Sequence, residues 1–232
     1  MLGMLIIQPS FIRVLKRNKW DMKILVACEE SQVVTIELRK LGHEAYSCDI
    51  DDCSGGHPEW HIKDNVLNVL NDGWDMMIAH PPCTRLTNSG VRWLKEPPKG
   101  KTLVQMWHEL FKGAEFYKKL RDCDIPKKCI ENPVMHKHAR ELIEPSYRQV
   151  VQPWYFGEKT FKATGYELIG LPDLVDTNRL VPPKKGTEEH KKWSWIHRLS
   201  PSPERARLRS KTPVGIAKAM AEQWAGELIT QE

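Results

Sequence analysis

The sequence predicts an α/β protein: a Rossmann-like, doubly wound and mostly parallel sheet carrying a small irregular basic lobe. Three observations lead there. Short apolar runs alternate with segments of helical period. Cys28, Asp49, Cys83 and Glu131 each close, or closely follow, one of those runs. From Pro153 to Ser210 the periodicity fades into Pro, Gly, Lys and Trp. Strands alternating with helices imply βαβ units and a parallel sheet covered on both faces. Ligands of such sheets sit beyond the carboxyl ends of the strands, where these four side chains fall.

Each element has its own signal. Lys23–Cys28 (KILVAC) reads as a short buried strand, and Ser31 is placed to cap the helix that follows. In that helix Val34, Leu38 and Leu41 share a face, and Gly42 stands where a C-terminal glycine belongs. EAYSCDI is a second strand ending in acids, VLNVL a short helical or turn segment, and WDMMIAH a third strand running into Pro81–Pro82. The clearest helix spans Leu103 to Leu120, with Leu103, Met106, Leu110, Ala114 and Tyr117 at helical spacing. KKCIEN is a strand stopped by Pro133, HKHARELI a helix, and RQVVQP and YELIGL further strands. Near the end Thr212 is expected to cap, Pro213 to take the first helical position, and Ile216, Met220 and Trp224 to point one way.

The bulk properties set limits. A chain of 232 residues, 41% hydrophobic and 28% charged, suits one globular domain with a sizeable core and a small appended lobe. No apolar run approaches the roughly 20 residues that span a bilayer, so no membrane association is expected. In MLGMLIIQPSFIRVLKRNKWD the charges follow the apolar patch and no small-residue cleavage site appears, so no secretory signal is read. Six irregularly spaced cysteines favour reduced thiols and a cytoplasmic setting. The expected organisation is an N-terminal extension (1–21), a Rossmann-like domain (22–152), the basic lobe (153–210), and a C-terminal helix (211–232) packing back on the domain. A monomer or weak dimer is expected.

The net charge of +5 is concentrated in the lobe. Lys191, Lys192, Arg198, Arg205, Arg207 and Arg209 are interleaved with Trp193 and Trp195, a pattern suited to a phosphate backbone with indoles for stacking. The alternative is a solvated surface loop. Arg85, beside the Pro81–Pro82–Cys83 run, is a further candidate DNA contact.

In HPPCTRLTNSG two prolines fix φ and remove two N–H donors, which stiffens the loop carrying Cys83. A thiol held there is either a buried inert cysteine or a nucleophile offered to an electrophile. Cys48, Cys53, His57 and His61 form a C-x4-C-x3-H-x3-H spacing that reads as a zinc site or as ordinary loop residues, and the second is favoured. His136 and His138, two apart on a helix, face different ways, so no shared metal is expected.

IAHPPCTRLTNSG resembles the Pro-Pro-Cys segment of the cytosine-C5 DNA methyltransferases, and CIENP resembles their Glu-Asn segment. SCDIDD resembles the acidic strand end of that family, HIKDNV its aspartate motif near adenine, and SKTPVGIAKAMAEQW its last motif before the final helix. The five pieces run in family order from Lys23 to Trp224, and small phage-type members are nearest in length. The resemblance implies a fold of the S-adenosylmethionine-dependent methyltransferase type. It implies DNA as substrate, Cys83 attacking C6 of a flipped cytosine, and Glu131 facing N3, with Pro82 and Asn132 beside them. It implies a cofactor, S-adenosylmethionine or a modified analogue, held by Cys28, Glu29, Glu30, Asp49, Ile50, Asp64, His80, Pro81 and Thr212. Asp49 would hold ribose hydroxyls, and Ile50 would pack on adenine or else belong to the core.

Two departures stand out. The family's first loop is glycine-rich, whereas CEESQ contains no glycine, leaving Glu29 or Glu30 to receive the cofactor's ammonium. The family's Gln-Arg-x-Arg segment is replaced by FKATGYELIGLP, whose cation is Lys162. Two other functions therefore stay open: a DNA-binding protein without catalysis, or a C5-pyrimidine transferase using a different donor.

Overall fold

The structure, a computed structural model, describes residues 21–132, 134–146 and 149–226. Pro133, the expected strand stop, and all of the expected N-terminal extension except Asp21 lie outside the described residues. The strands are β1 Lys23–Ala27, β2 Glu44–Asp49, β3 His61–Lys63, β4 Met76–Ala79, β5 Lys127–Asn132, β6 Gln149–Val151 and β7 Thr164–Ile169. They form one sheet in the order β3-β2-β1-β4-β5-β7-β6. Pairing is parallel from β3 to β5, and β7 runs antiparallel between β5 and β6. The expected doubly wound, mostly parallel sheet is what forms.

Strand residues alternate between two apolar layers, as a period of two requires. Leu25, Ala27, Met77, Ala79 and Ile130 pack on the side of α2 (Leu103–Asp122) and α3 (Lys137–Ile143). Ile24, Val26, Met76, Ile78 and Cys129 pack on the side of α1 (Val33–Lys40) and α7 (Val214–Trp224). In α2 the residues Met106, Leu110, Ala114, Tyr117 and Leu120 are buried, and a Thr102–Gln105 capping box starts the helix. At the end of α1, Gly42 takes φ 88°, its N–H bonds the carbonyl of Arg39, and the N–H of His43 bonds that of Leu38. This is a Schellman closure that a left-handed glycine makes without strain.

Several expectations need correction. Ser31 does not cap α1; Gln32 is the capping residue, and the side-chain acceptor comes from Glu29. Leu41 and Leu103 are 44% and 45% exposed, because each sits at a helix end beyond the packed stripe. Pro213, not Thr212, is the capping position of α7, without a side-chain cap. The strand β3 lies where only a motif was read. The stretch 153–210 is not wholly irregular: β7 lies within it and belongs to the sheet. What remains beyond β7 carries three short helices, α4 Glu188–Trp193, α5 Trp195–Arg198 and α6 Pro203–Ser210. Among the described residues no helix is long and apolar enough to cross a membrane.

One buried polar cluster ties α2 and the segment after α3 to β7. Glu167 of β7 is 2% exposed and accepts from Tyr117 Oη at 2.8 Å and from the Ser146 N–H and hydroxyl at 3.0 and 3.1 Å. Tyr117→Phe leaves that carboxylate short of a donor and should cost about 1–3 kcal/mol, read as a lower urea midpoint with an unchanged slope.

Candidate active site

The carboxyl ends of the parallel strands form one rim. Because β7 runs backwards, its amino end reaches that same rim, and Lys162 just before it arrives opposite the end of β5. Ala79 of β4 pairs with Ile130 of β5, so His80, just past β4, stands beside Glu131, the next residue of β5. The His80 N–H bonds the Ala27 carbonyl at 2.9 Å, which anchors the start of the Pro81–Pro82–Cys83 loop on β1.

The rim encloses a cavity of about 510 Å³. Its walls come from the first loop (Cys28, Glu29, Glu30), the end of β2 (Asp49, Ile50), Asp64 after β3, and His80, Pro82 and Thr212. Eight of the nine expected cofactor contacts are therefore brought together. The exception is Pro81, which is buried away from the cavity while Pro82 faces it. Ile50 is 71% exposed on the cavity wall, so it does not belong to the core.

The glycine-free first loop reaches its turns by an unexpected route. Cys28 and Gln32 adopt left-handed φ of 59° and 58°, a conformation that side chains seldom take. The Cys48 carbonyl holds the first turn by accepting from the Cys28 and Glu29 N–H groups at 2.7 and 3.3 Å. Gln32 holds the second: its amide donates to the His57 carbonyl at 2.8 Å, and its Oε1 accepts from the His57 N–H at 3.1 Å. The close approach falls to Gly55, where a Cβ would lie 2.8 Å from the Ser31 carbonyl oxygen. Glycine is thus needed across from the loop rather than within it.

The two acids of that loop differ. Glu29 is buried, and its carboxylate accepts from the Val34 N–H at 2.7 Å and the Thr35 hydroxyl at 2.8 Å. It caps α1, which corrects its assignment as an ammonium receptor. Burial raises its pKa, opposed by the His80 charge and by these hydrogen bonds. Glu30 lines the cavity, and its Oε1 is buried without a hydrogen-bond partner among the described residues. Burial, then Asp49 and Cys48, push the Cys28 thiol up to about 12. Asp49 accepts from the Asp51 N–H at 3.0 Å, and Asp64 accepts from Asn65 and Asn68, which fixes both carboxylates toward the cavity edge.

Beside the cavity stands a charged cluster. Glu131 Oε2 accepts a hydrogen bond from His80 Nδ1, and the two side chains are 13% and 8% exposed. Burial pushes the Glu131 pKa up, but the His80 hydrogen bond and charge, with Lys162, outweigh it and hold the group below its ordinary value. For His80, burial lowers the pKa, and the Glu131 hydrogen bond and charge, helped by Glu29, lift it above the ordinary value. The half-buried Cys83 feels the same carboxylate. Its pKa is raised by burial first and Glu131 second, against Arg209 and Lys162. Lys162 Nζ donates to the Lys211 carbonyl at 2.8 Å, and burial lowers its pKa against the pull of Glu131 and Cys83. Asn132 is buried next to Glu131, paired in register with Gly165 of β7.

The expected DNA contacts divide. Lys191, Lys192, Arg198, Arg207 and Arg209 are exposed on α4–α6, and Trp195 is 42% exposed. Arg205 is half-buried. Trp193 is 4% exposed, packed on Phe161 and bonded to Glu189, so it is a core indole and not a stacking one. Arg85 is tied to Glu109 of α2 at 2.6 Å, which makes it a brace for the Cys83 loop. Sequence reasoning picked out Arg209 as a DNA contact but missed the action of its charge on Cys83, and it missed the entry of Phe116 of α2 into the cavity wall. No sequence signal shows either placement, since both depend on how helices pack against the rim. In the cysteine–histidine set, Cys48 donates to the Asp64 carbonyl, His61 bridges Ser47 and the Asp51 carbonyl, and His57 stacks on Trp60. His136 caps α3 by accepting from the Ala139 N–H.

No protein-family model and no curated protein matches this sequence. Among solved structures, the chain is similar to a prophage-encoded E. coli protein described as a DNA modification methyltransferase. The identity is 13% and the TM-score 0.39, over 63% of this chain and 45% of that one. It is also similar to the Entamoeba histolytica methyltransferase EhMeth, at 11% identity and TM-score 0.41, over 69% of this chain and 58% of that one. The chain thus spans less than two thirds of either.

Because Glu131 raises the Cys83 pKa, removing its charge should free the thiolate. Alkylation of Cys83 by iodoacetamide at mildly alkaline pH, followed by peptide mass spectrometry, should be faster in Glu131→Gln and slower in Arg209→Ala. Unchanged rates would mean that these charges do not reach the sulfur.

Proposed function

We propose that the protein is a DNA cytosine-C5 methyltransferase-like enzyme that uses S-adenosylmethionine or a modified relative. One observation carries this reading: Cys83 and Glu131 come from neighbouring strand ends, feel each other's charge, and stand beside a cavity lined by acids. The cavity's groups suit the donor. Glu30 offers an ammonium a buried oxygen that has no partner among the described residues, Asp49 and Asp64 offer carboxylates to hydroxyls, and exposed Ile50 offers an apolar face to an adenine. The left-handed turns at Cys28 and Gln32 let the loop turn tightly without glycine, which supports a formed pocket over an inactive DNA-binding protein.

In this reading α4–α6 grip the phosphate backbone, and the target base leaves the stack at a cost of a few kcal/mol. Cys83 gives up its S–H proton to water, the resulting thiolate forms the Sγ–C6 bond, and the negative charge pushed into the ring is met at N3 by Glu131. When bound, the donor supplies an electrophilic methyl group for C5. Loss of the C5 proton and cleavage of the Sγ–C6 bond then return the free thiol.

The test is formation of 5-methylcytosine in DNA incubated with the protein and S-adenosylmethionine, read by nucleoside mass spectrometry. Cys83→Ser should abolish product, and Glu131→Gln should slow turnover by about a hundredfold. Product that survives Cys83→Ser would remove the proposed nucleophile. Calorimetric binding of DNA without any binding of S-adenosylmethionine would leave a binder or a different donor.

A further inference from the structure

His80 faces two ways. Nδ1 bonds Glu131, while Nε2 of this cavity-lining residue is buried and has no hydrogen-bond partner among the described residues. The side chain is only 8% exposed, so an unmet N–H or lone pair there is costly and calls for a purpose. The charged groups that act on it are Glu131 from β5, Glu29 from the first loop and Lys162 from the segment before β7. Cys83 is three residues further along the same loop. The mechanism above gives Glu131 to N3 but does not say where its proton comes from, and a carboxylate paired with an imidazolium carries none.

We propose that His80 is the proton store of the site, passing its Nδ1 proton through Glu131 to the pyrimidine N3 and exchanging protons with the cavity through Nε2. This rests on the cytosine-C5 reading and adds a positioning and proton-supplying residue to it. The step balances. As the Cys83 thiolate bonds to C6, the ring electrons shift toward N3. Glu131, a carboxylate at the outset, takes the Nδ1 proton as it passes a proton to N3, so N3 ends protonated, Glu131 ends as a carboxylate, and a neutral imidazole remains with its Nε2–H. Elimination of the thiolate runs the same transfers backwards. The donor cavity and the base site thereby share one titrating group.

Two measurements test it. In protein labelled with ¹⁵N-histidine, the His80 ring should stay doubly protonated beyond the ordinary histidine range and become neutral near neutral pH in Glu131→Gln. In the second, tritium release from C5-tritiated cytosine in an oligonucleotide is followed from mildly acidic to alkaline pH, which requires no methyl donor. Wild-type release should fall over the alkaline range where the imidazole loses its proton. His80→Gln should be about a hundredfold slower and lack that limb. The same limb in His80→Gln, or a neutral wild-type imidazole at neutral pH, overturns the relay alone. No release from DNA-bound wild-type protein at any pH overturns the cysteine-addition reading, and the relay with it.

Discussion

A carboxylate and an imidazole buried at the same strand ends must share a proton or one of them must be neutral. That constraint organises the rim. Burial alone would raise Glu131 and lower His80, leaving both uncharged, but their hydrogen bond reverses both shifts. The pair can do so because β4 and β5 are adjacent and in register, which brings consecutive strand ends out together. Its stability follows from the signs. Glu131, lowered on folding, contributes above the ordinary glutamate range and loses that contribution as pH falls through its folded value. His80, raised on folding, contributes below the ordinary histidine range and loses that contribution as pH rises through its folded value. The pair is most secure between the two.

The reversed strand completes the site. A parallel β7 would carry Lys162 to the far edge of the sheet. Running antiparallel against β5, it sets Lys162 among Glu131, Cys83 and Arg209, so the cluster holds cations of both the sheet and the helical segment before α7. The basic helices α4–α6 end at the same rim: Ser210, the last residue of α6, lines the cavity, and the charge of Arg209 beside it lowers the Cys83 pKa.

Much of the sheet was legible because buried strands and the helix α2 announce themselves by period and by flanking Gly and Pro. The placement of Cys28, Asp49, Cys83 and Glu131 at or just beyond strand ends was legible too, because each stands where an apolar run stops. Other features were hidden for physical reasons. A three-residue strand such as β3 has no period to read. The reversal of β7 depends on long-range pairing, so YELIGL shows a strand but not its direction. Glu29 resembles any loop acid until a helix N-terminus is seen to need an acceptor. Trp193 follows two lysines and reads as a surface indole, yet its ring fills the space against Phe161. The glycine-free loop gave no hint that Gly55, distant in sequence, supplies the missing room.

The central claim is that the Cys83 sulfur and the Glu131 carboxylate open onto one space that fits a pyrimidine. An oligonucleotide carrying 2-pyrimidinone in place of cytosine accepts a thiol at C6 without any methyl donor, so intact-mass spectrometry of the denatured mixture reads the bond directly. A wild-type protein heavier by one oligonucleotide, with no such species from Cys83→Ser, is the result this account predicts. Wild-type protein of unchanged mass under conditions where it binds the DNA, or an adduct retained by Cys83→Ser, would contradict it.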